Sequence, residues 1–301
     1  MKPLMSRVLH ITKLLYTPVS FCFILYFSWL NRTVLVKLFD IADFSFFVIA
    51  VCLWCLLHLI SPLSPQIIFA SLGSKIAYKD LLRIYILRLP ARYLPGGVWH
   101  TVGRLSDYHT FGISKKHLTL LVVVETFFPC LITLFIGGGY LYFAGGKNML
   151  TAIEGSFALI SLITLFLIPF VAKWRLSSIL NNTFIYYSLL ILLSVFFWII
   201  ASSSFLFYYN CVSLDTSPMS YIRIAATYIF SWGIGYISIF APQGIGVFEV
   251  VAGKIMALPM SLGGAIAFLA GFRIVVLMAD MLVWGLYRFL NLFMRGTCTK
   301  K

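Results

Sequence analysis

The chain has 301 residues, 61% of them hydrophobic and 17% aromatic, with only 11% charged and a mean hydropathy of +0.98. Soluble domains carry about 25% charged residues, and a chain of this length has no means of hiding so much apolar surface from water. A soluble fold is excluded. The expectation is an all-α polytopic transmembrane helix bundle, one integral membrane domain over 1–301 without a soluble synthetase or glycosyltransferase domain.

The 23 Lys and Arg outnumber the 9 Asp and Glu, a formal net charge of +14. In a soluble protein that excess would suggest nucleic acid. Here the basic residues lie between apolar runs, where they set topology and meet anionic head groups. No nucleic-acid partner is expected. Six cysteines, Cys22, Cys52, Cys55, Cys130, Cys211 and Cys298, read as packing residues, because five lie in or beside apolar segments. Cys52-Leu-Trp-Cys55 has redox-motif spacing but no βαβ context.

At the N-terminus, Lys2, Arg7 and Lys13 precede an apolar stretch from Leu14 to Leu30. Asn31-Arg32 follows it in place of a small-residue cleavage site, so an uncleaved first span is expected. A spanning helix needs about 20 apolar residues. Candidates fall at 14–30, 44–63, 118–143, 153–172, 183–208 and 221–240, and the apolar stretch 260–293 reads as one helix or two. The expected total is about eight spans.

With a cytoplasmic N-terminus and alternating crossings, the inner segments are 1–13, 64–117, 173–182, 241–259 and the tail from Arg288. They hold 18 basic residues, against 4 in the outer segments 31–43, 144–152 and 209–223. The positive-inside rule therefore places both termini in the cytoplasm.

Two segments interrupt the pattern. From Leu89 to Arg104 the chain holds two prolines and three glycines, yet stays too apolar for a solvated loop. Ahead of it, Lys75 to Arg88 is amphipathic. The pair reads either as an interfacial helix with a surface turn or as a re-entrant segment lining a cavity. The second interruption, Ala241 to Glu249, closes with Gly253-Lys254 and Pro259. Pro242 to Gly246 would leave backbone N–H groups at the N-terminus of a half-helix, a place suited to phosphate or carboxylate. Two such breaks resemble the discontinuous helices of repeat-built transporters.

The run Arg92-Tyr93-Leu94-Pro95-Gly96-Gly97-Val98-Trp99, followed by Gly103-Arg104, resembles the first signature of the lysylphosphatidylglycerol synthase transmembrane-region family. This is the group of bacterial and archaeal flippase-like membrane proteins. Glu125 matches its acidic position on the next span. Pro242-Gln243-Gly244-Ile245-Gly246-Val247-Phe248-Glu249 is similar to its second signature, with Gln243 where Gly is usual and Phe248 where Arg is common. The resemblance covers the chain in order and spacing, and implies a lipid-translocating region in the bacterial inner membrane.

Intramembrane charges are functional candidates by default. Glu125 lies about eight residues into its span and Glu249 within the second break. Arg273 and Asp280, seven apart, share one helix face. Glu125 and Glu249 are candidates for gating or coupling. They are equally candidates for structural pairing with Arg104 or Arg273. The expected head-group cavity is lined by Arg92, Tyr93, Pro95, Gly96, Gly97, Trp99, His100, Arg104, Pro242, Gln243, Gly244, Gly246 and Arg273. His58 reads as a packing histidine, and His100, His109 and His117 lack metal-site spacing. No catalytic residue, metal or cofactor is assigned.

The leading functional reading is a translocator of a lipid or lipid-linked saccharide with an anionic head group. Its expected partners are membrane lipids, together with envelope-glycan or lipid-modifying enzymes. A membrane-embedded transferase is the enzyme alternative, against which stands the lack of Asp-x-Asp, His-x4-Asp and Gly-x-Ser-x-Gly motifs. The third reading is a non-transporting partner in envelope-glycan assembly.

Overall fold

The computed structural model describes residues 43–94, 98–176, 180, 182–212, 219–238, 244–256 and 261–298, with positions 26, 29, 30, 32, 33 and 36. Among these residues all regular structure is helical, and the protein is an all-α membrane bundle. The expected span at 14–30 lies almost entirely outside the described residues.

Helix α1 (Phe44–Ile60) starts at Asp43, whose carboxylate accepts the Ser45 N–H at 2.9 Å. The Ser45 hydroxyl and N–H hold the Asp43 carboxyl below its ordinary range. Helix α2 (Leu63–Ser71) follows at once, so the apolar run extends over Phe44–Ser71 rather than ending at residue 63. Pro62 at the N-cap and Pro65 in the first turn occupy positions where no intrahelical N–H is required. The chain therefore bends without breaking its apolar run.

The amphipathic stretch forms α3 (Tyr78–Leu87), a 3-10 turn covers Leu89–Tyr93, and α4 runs Trp99–Thr110. Helix α5 (Lys115–Ala144) is N-capped by the Ser114 hydroxyl and contains Pro129. Helices α6 (Met149–Leu176) and α7 (Thr183–Cys211) follow. Then come α8 (Tyr221–Ile237), α9 (Val247–Met256) and α10 (Leu262–Cys298). From Leu262 onward the stretch expected at 260–293 thus forms a single helix. Among the described residues, five segments are long and apolar enough to cross a membrane: Phe44–Ser71, Lys115–Ala144, Met149–Trp174, Thr183–Cys211 and Leu262–Leu292. The candidate at 221–240 yields the 17-residue α8.

Helix α5 packs on α6 and α8, α8 on α9, α9 on α10, α10 on α1, and α1 on α7, which touches α5 and α8. Small residues make the closest of these contacts. A Cβ on Gly137 would lie 2.6 Å from the Phe230 backbone nitrogen, and one on Gly138 3.1 Å from the Phe230 ring. Between α7, α8 and α10 the core is aromatic. Phe205 stacks on Tyr228 with centroids 4.6 Å apart, and Tyr208 donates its hydroxyl to the Phe268 carbonyl at 2.7 Å. Helix α6 turns Leu159, Ile160, Ile163, Phe166 and Phe170 outward, as suits a lipid-facing surface.

Replacing Gly137 with Val should force α5 away from α8 and lower stability by about 1–3 kcal/mol, the usual cost of overpacking. Melting in detergent should show the loss. Gly146→Ala, at a position with open space around it, should leave the melting temperature unchanged.

Candidate functional site

The helices enclose a cavity of about 390 Å³, within the size range of small-molecule sites. One wall comes from the first broken region, with Tyr85 of α3, Arg92 of the 3-10 turn, and His100 and Arg104 of α4. The facing wall comes from the second, with Gly244, Phe248 of α9 and Arg273 of α10. Glu125 and Thr126 of α5 complete the polar lining together with Ser61, Ser64 and Ser194. Irregular backbone in a membrane bundle is tolerated where it borders such a space.

The second break depends on glycine. Gly244 and Gly246 have φ of +67° and +86°, the left-handed region that side chains disfavour. A Cβ on Gly244 would also lie 2.9 Å from the Cα of Gly235 on α8. This turn lets α9 begin against α8. Its first turn is closed by Glu249, whose Oε2 accepts the Gly246 N–H at 2.7 Å, the reach-back half of a capping box.

Each of the three cavity arginines meets a carboxylate. Arg104 binds Glu125 in bidentate fashion, Nη2 to Oε2 at 2.8 Å and Nη1 to Oε1 at 3.4 Å. Arg273 Nε donates to Glu249 Oε1 at 2.6 Å. Arg92 lies 3.4 Å from Asp280 Oδ2 and donates to the Tyr85 hydroxyl at 2.6 Å. The Arg92 and Arg104 guanidinium carbons lie 5.4 and 5.8 Å from the Tyr85 ring centroid, within cation–π range.

Of the three carboxylates only Glu125 lines the cavity; Glu249 and Asp280 stand behind its wall with fully buried side chains. Burial, reinforced by the Arg92 and Arg104 cations, pushes the His100 imidazole well below its ordinary range. It is therefore neutral at physiological pH. His100 Nε2, Arg104 Nε and the Tyr228 hydroxyl are buried polar atoms on the lining that find no protein partner. Buried groups of that kind call for an explanation, and a polar occupant supplies one.

The residues named from the sequence fall into distinct places. Arg92, His100, Arg104, Glu125, Gly244 and Arg273 share the cavity. Tyr93 is not on its lining, but donates its hydroxyl to Asp280 Oδ2 at 3.1 Å. Trp99 is half exposed and does not line the cavity. Gly246 serves through its backbone, and Glu249 through Gly246 and Arg273. Pro95, Gly96, Gly97, Pro242 and Gln243 lie outside the described residues.

Two features escaped the sequence reading. His58 of α1 is a packing residue only in part, because its Nε2 lies 3.0 Å from Asp280 Oδ1 and both side chains are buried. The intramembrane charge of Asp280 was the available signal for a partner. The second is an aromatic lining: Trp54 of α1, Phe197 and Trp198 of α7, and Trp232 and Tyr236 of α8. Trp232 stacks on Tyr236 at 4.6 Å and meets Trp198 edge-on at 4.5 Å. The high aromatic content held no hint of which rings turn inward.

Glu249→Ala removes the cap on α9 and strands the Arg273 charge, and breaking a fully buried pair costs about 3–5 kcal/mol. Arg273 is 28% exposed, so a loss near the lower end is expected. Glu249→Gln keeps an acceptor for the Gly246 N–H and should lose less. Detergent melting of the two variants beside the parent protein should show that order; equal stability of all three would contradict it.

No protein-family model matches the chain, and no curated protein matches it.

Proposed function

We propose that the protein is a flippase-like translocator of a lipid or lipid-linked saccharide, moving a phosphate-bearing head group through the central cavity. The observation that supports this most is the meeting of both broken segments at one cavity with three arginines, inside an otherwise apolar bundle. Arginine suits a phosphate because its planar fork donates two hydrogen bonds at once. The aromatic walls offer surfaces for the apolar faces of a head group, and the unpartnered His100, Arg104 and Tyr228 atoms offer polar contacts. The resemblance of 92–104 and 242–249 to the signatures of the lysylphosphatidylglycerol synthase transmembrane-region family points the same way.

In this reading the protein resides in a bacterial cytoplasmic membrane with both termini inside. It works beside enzymes that build or modify envelope lipids and glycans. The cavity, flanked by the two broken regions, is exposed to each leaflet in turn, and Glu125 and Glu249 couple or gate the exchange. Reporter fusions at Lys115 and Lys301 should both report the cytoplasm, and a periplasmic signal from either would refute the orientation.

The direct test reconstitutes the purified full chain in phosphatidylcholine vesicles containing a trace of phosphatidylglycerol with a fluorescent acyl chain. A membrane-impermeant quencher then reads the fraction exposed in the outer leaflet. The protein should speed equilibration between leaflets over protein-free vesicles. Arg104→Lys retains the charge but loses the bidentate fork, and should slow it about tenfold, the equivalent of one charge-assisted hydrogen bond. Equal rates with and without protein would rule out translocation of this head group.

A further inference from the structure

The cavity's three guanidinium charges are matched by three carboxylates already in contact with them. The site as it stands therefore has no spare positive charge for an anion. A phosphate diester that engaged an arginine and left its carboxylate ionised would place an uncompensated negative charge in a low-dielectric space, which is strongly disfavoured. Two ways out exist: the displaced carboxylate takes a proton, or the ligand brings its own cation.

The three pairs differ in how far they can yield. Glu249 is fully buried, bonded to both Arg273 and the Gly246 N–H, and separated from the cavity by its wall. Asp280 is fully buried among His58, Arg92 and Tyr93. Glu125 is the carboxylate on the lining itself, its side chain is 16% exposed, and Arg104 is its hydrogen-bonding partner. Helix α5 is also weakest at this point. Pro129, four residues on, has no N–H to give the Glu125 carbonyl. Arg104 keeps a buried, unpartnered Nε, and His100 beside it keeps an unpartnered Nε2.

We propose that Glu125 and an anionic phosphate-diester head group compete for Arg104, and that Glu125 takes up one proton when the head group displaces it. The step is an acid–base exchange. The Arg104–carboxylate hydrogen bonds break, Arg104–phosphate hydrogen bonds form, and a proton from solvent joins the freed carboxylate, so the charge in the cavity is unchanged. Binding is favoured as pH falls, since the occupied state holds more protons. The other charged or titratable groups that face this pair are Arg92 of the 3-10 turn, His100 and Tyr108 of α4, Tyr236 of α8 and Tyr85 of α3. Arginines and phenols as a class already hold their protons at neutral pH, so the acceptors here are Glu125 and the unpartnered Nε2 of His100; the displaced Glu125 carboxylate is the one left with an uncompensated charge. This inference rests on the reading of the cavity as a head-group site.

The test uses the detergent-solubilised full chain with dihexanoylphosphatidylglycerol as the probe. Binding is followed through the fluorescence of the cavity tryptophans, and protons through an indicator dye in weak buffer. At pH 7.5 the parent protein should take up about one proton per bound lipid, and its affinity should weaken by up to about tenfold per pH unit on going alkaline. Dihexanoylphosphatidylcholine, which brings its own cation with the same phosphate diester, should cause no uptake. Dimethyl phosphate, the diester without chains, should bind more weakly than the lipid; equal binding would show that the site recognises free phosphate esters and overturn the lipid as ligand. Glu125→Gln should bind phosphatidylglycerol with no proton uptake and a flat pH profile. Glu125→Asp should restore uptake.

Binding of phosphatidylglycerol without proton uptake by the parent protein overturns the exchange, as does no binding at all. Uptake that persists in Glu125→Gln overturns the assignment to Glu125. Proton-linked binding by a protein that fails to move lipid in vesicles would sustain the exchange and defeat the translocator reading.

Discussion

An arginine or aspartate in the middle of a membrane helix costs about 2.5–3.5 kcal/mol on insertion scales, and the architecture follows from how this chain meets that cost. Arg92, Arg104 and Arg273 each find a carboxylate on another element: Asp280 on α10, Glu125 on α5 and Glu249 on α9. The pairs are more than local neutralisation. Helices α3, α4 and α9 have 10, 12 and 10 residues, too few to cross a bilayer. The contacts Arg92–Asp280, Arg104–Glu125 and Glu249–Arg273 fasten the 3-10 turn, α4 and α9 to the long helices. The cavity is the space left between elements fastened in this way.

Much of the fold was legible in the sequence, because a long apolar run has few alternatives in a bilayer. Apolar stretches at 118–143, 153–172 and 183–208 become α5, α6 and α7 with longer ends. The breaks at 89–104 and 241–249 were legible for the converse reason, since proline and glycine oppose a continuous helix. The apolar run continues past the expected end at residue 63 because Pro62 and Pro65 stand where a new helix needs no donor.

Pairing was less legible. Sequence position shows that Glu125 and Asp280 must find partners, yet Arg92, Arg104 and Arg273 are all eligible and only packing selects among them. His58 and Asp280 are 222 positions apart in the chain, and their 3.0 Å contact depends on α1 lying against α10. Aromatic residues pose the same problem in stronger form. Trp198 and Trp232 line the cavity while Trp174 faces outward, and nothing in their local sequence separates these fates. Apolar helix faces in a membrane protein are alike, so periodicity loses the contrast that marks a buried face in water.

Helix α5 brings these constraints together. Beyond Pro129 it is held closely against α8, with Gly137 on the Phe230 backbone, Gly138 on the Phe230 ring and the Thr133 hydroxyl on Gly233. Before Pro129 it meets α2 and α4 through larger side chains, and this half bears Glu125. Missing the donor of Pro129, the turn between the halves lacks one of the hydrogen bonds that would make the helix a single rod. The sequence has thus placed its cavity-lining carboxylate just ahead of a weakened turn, on the side of the helix that glycine packing does not fix. A charge held by hydrogen bonds to one arginine, ahead of a turn that lacks one backbone hydrogen bond, can change partner at less backbone cost than a charge on an unbroken helix. The carboxylates of Glu249 and Asp280, fully buried and each held by two or more partners, have no such freedom. Displacement of an ion pair inside a membrane bundle requires both an arginine that a competing ligand can reach and a backbone able to follow; Arg104 on the cavity lining and the turn at Pro129 meet the two conditions.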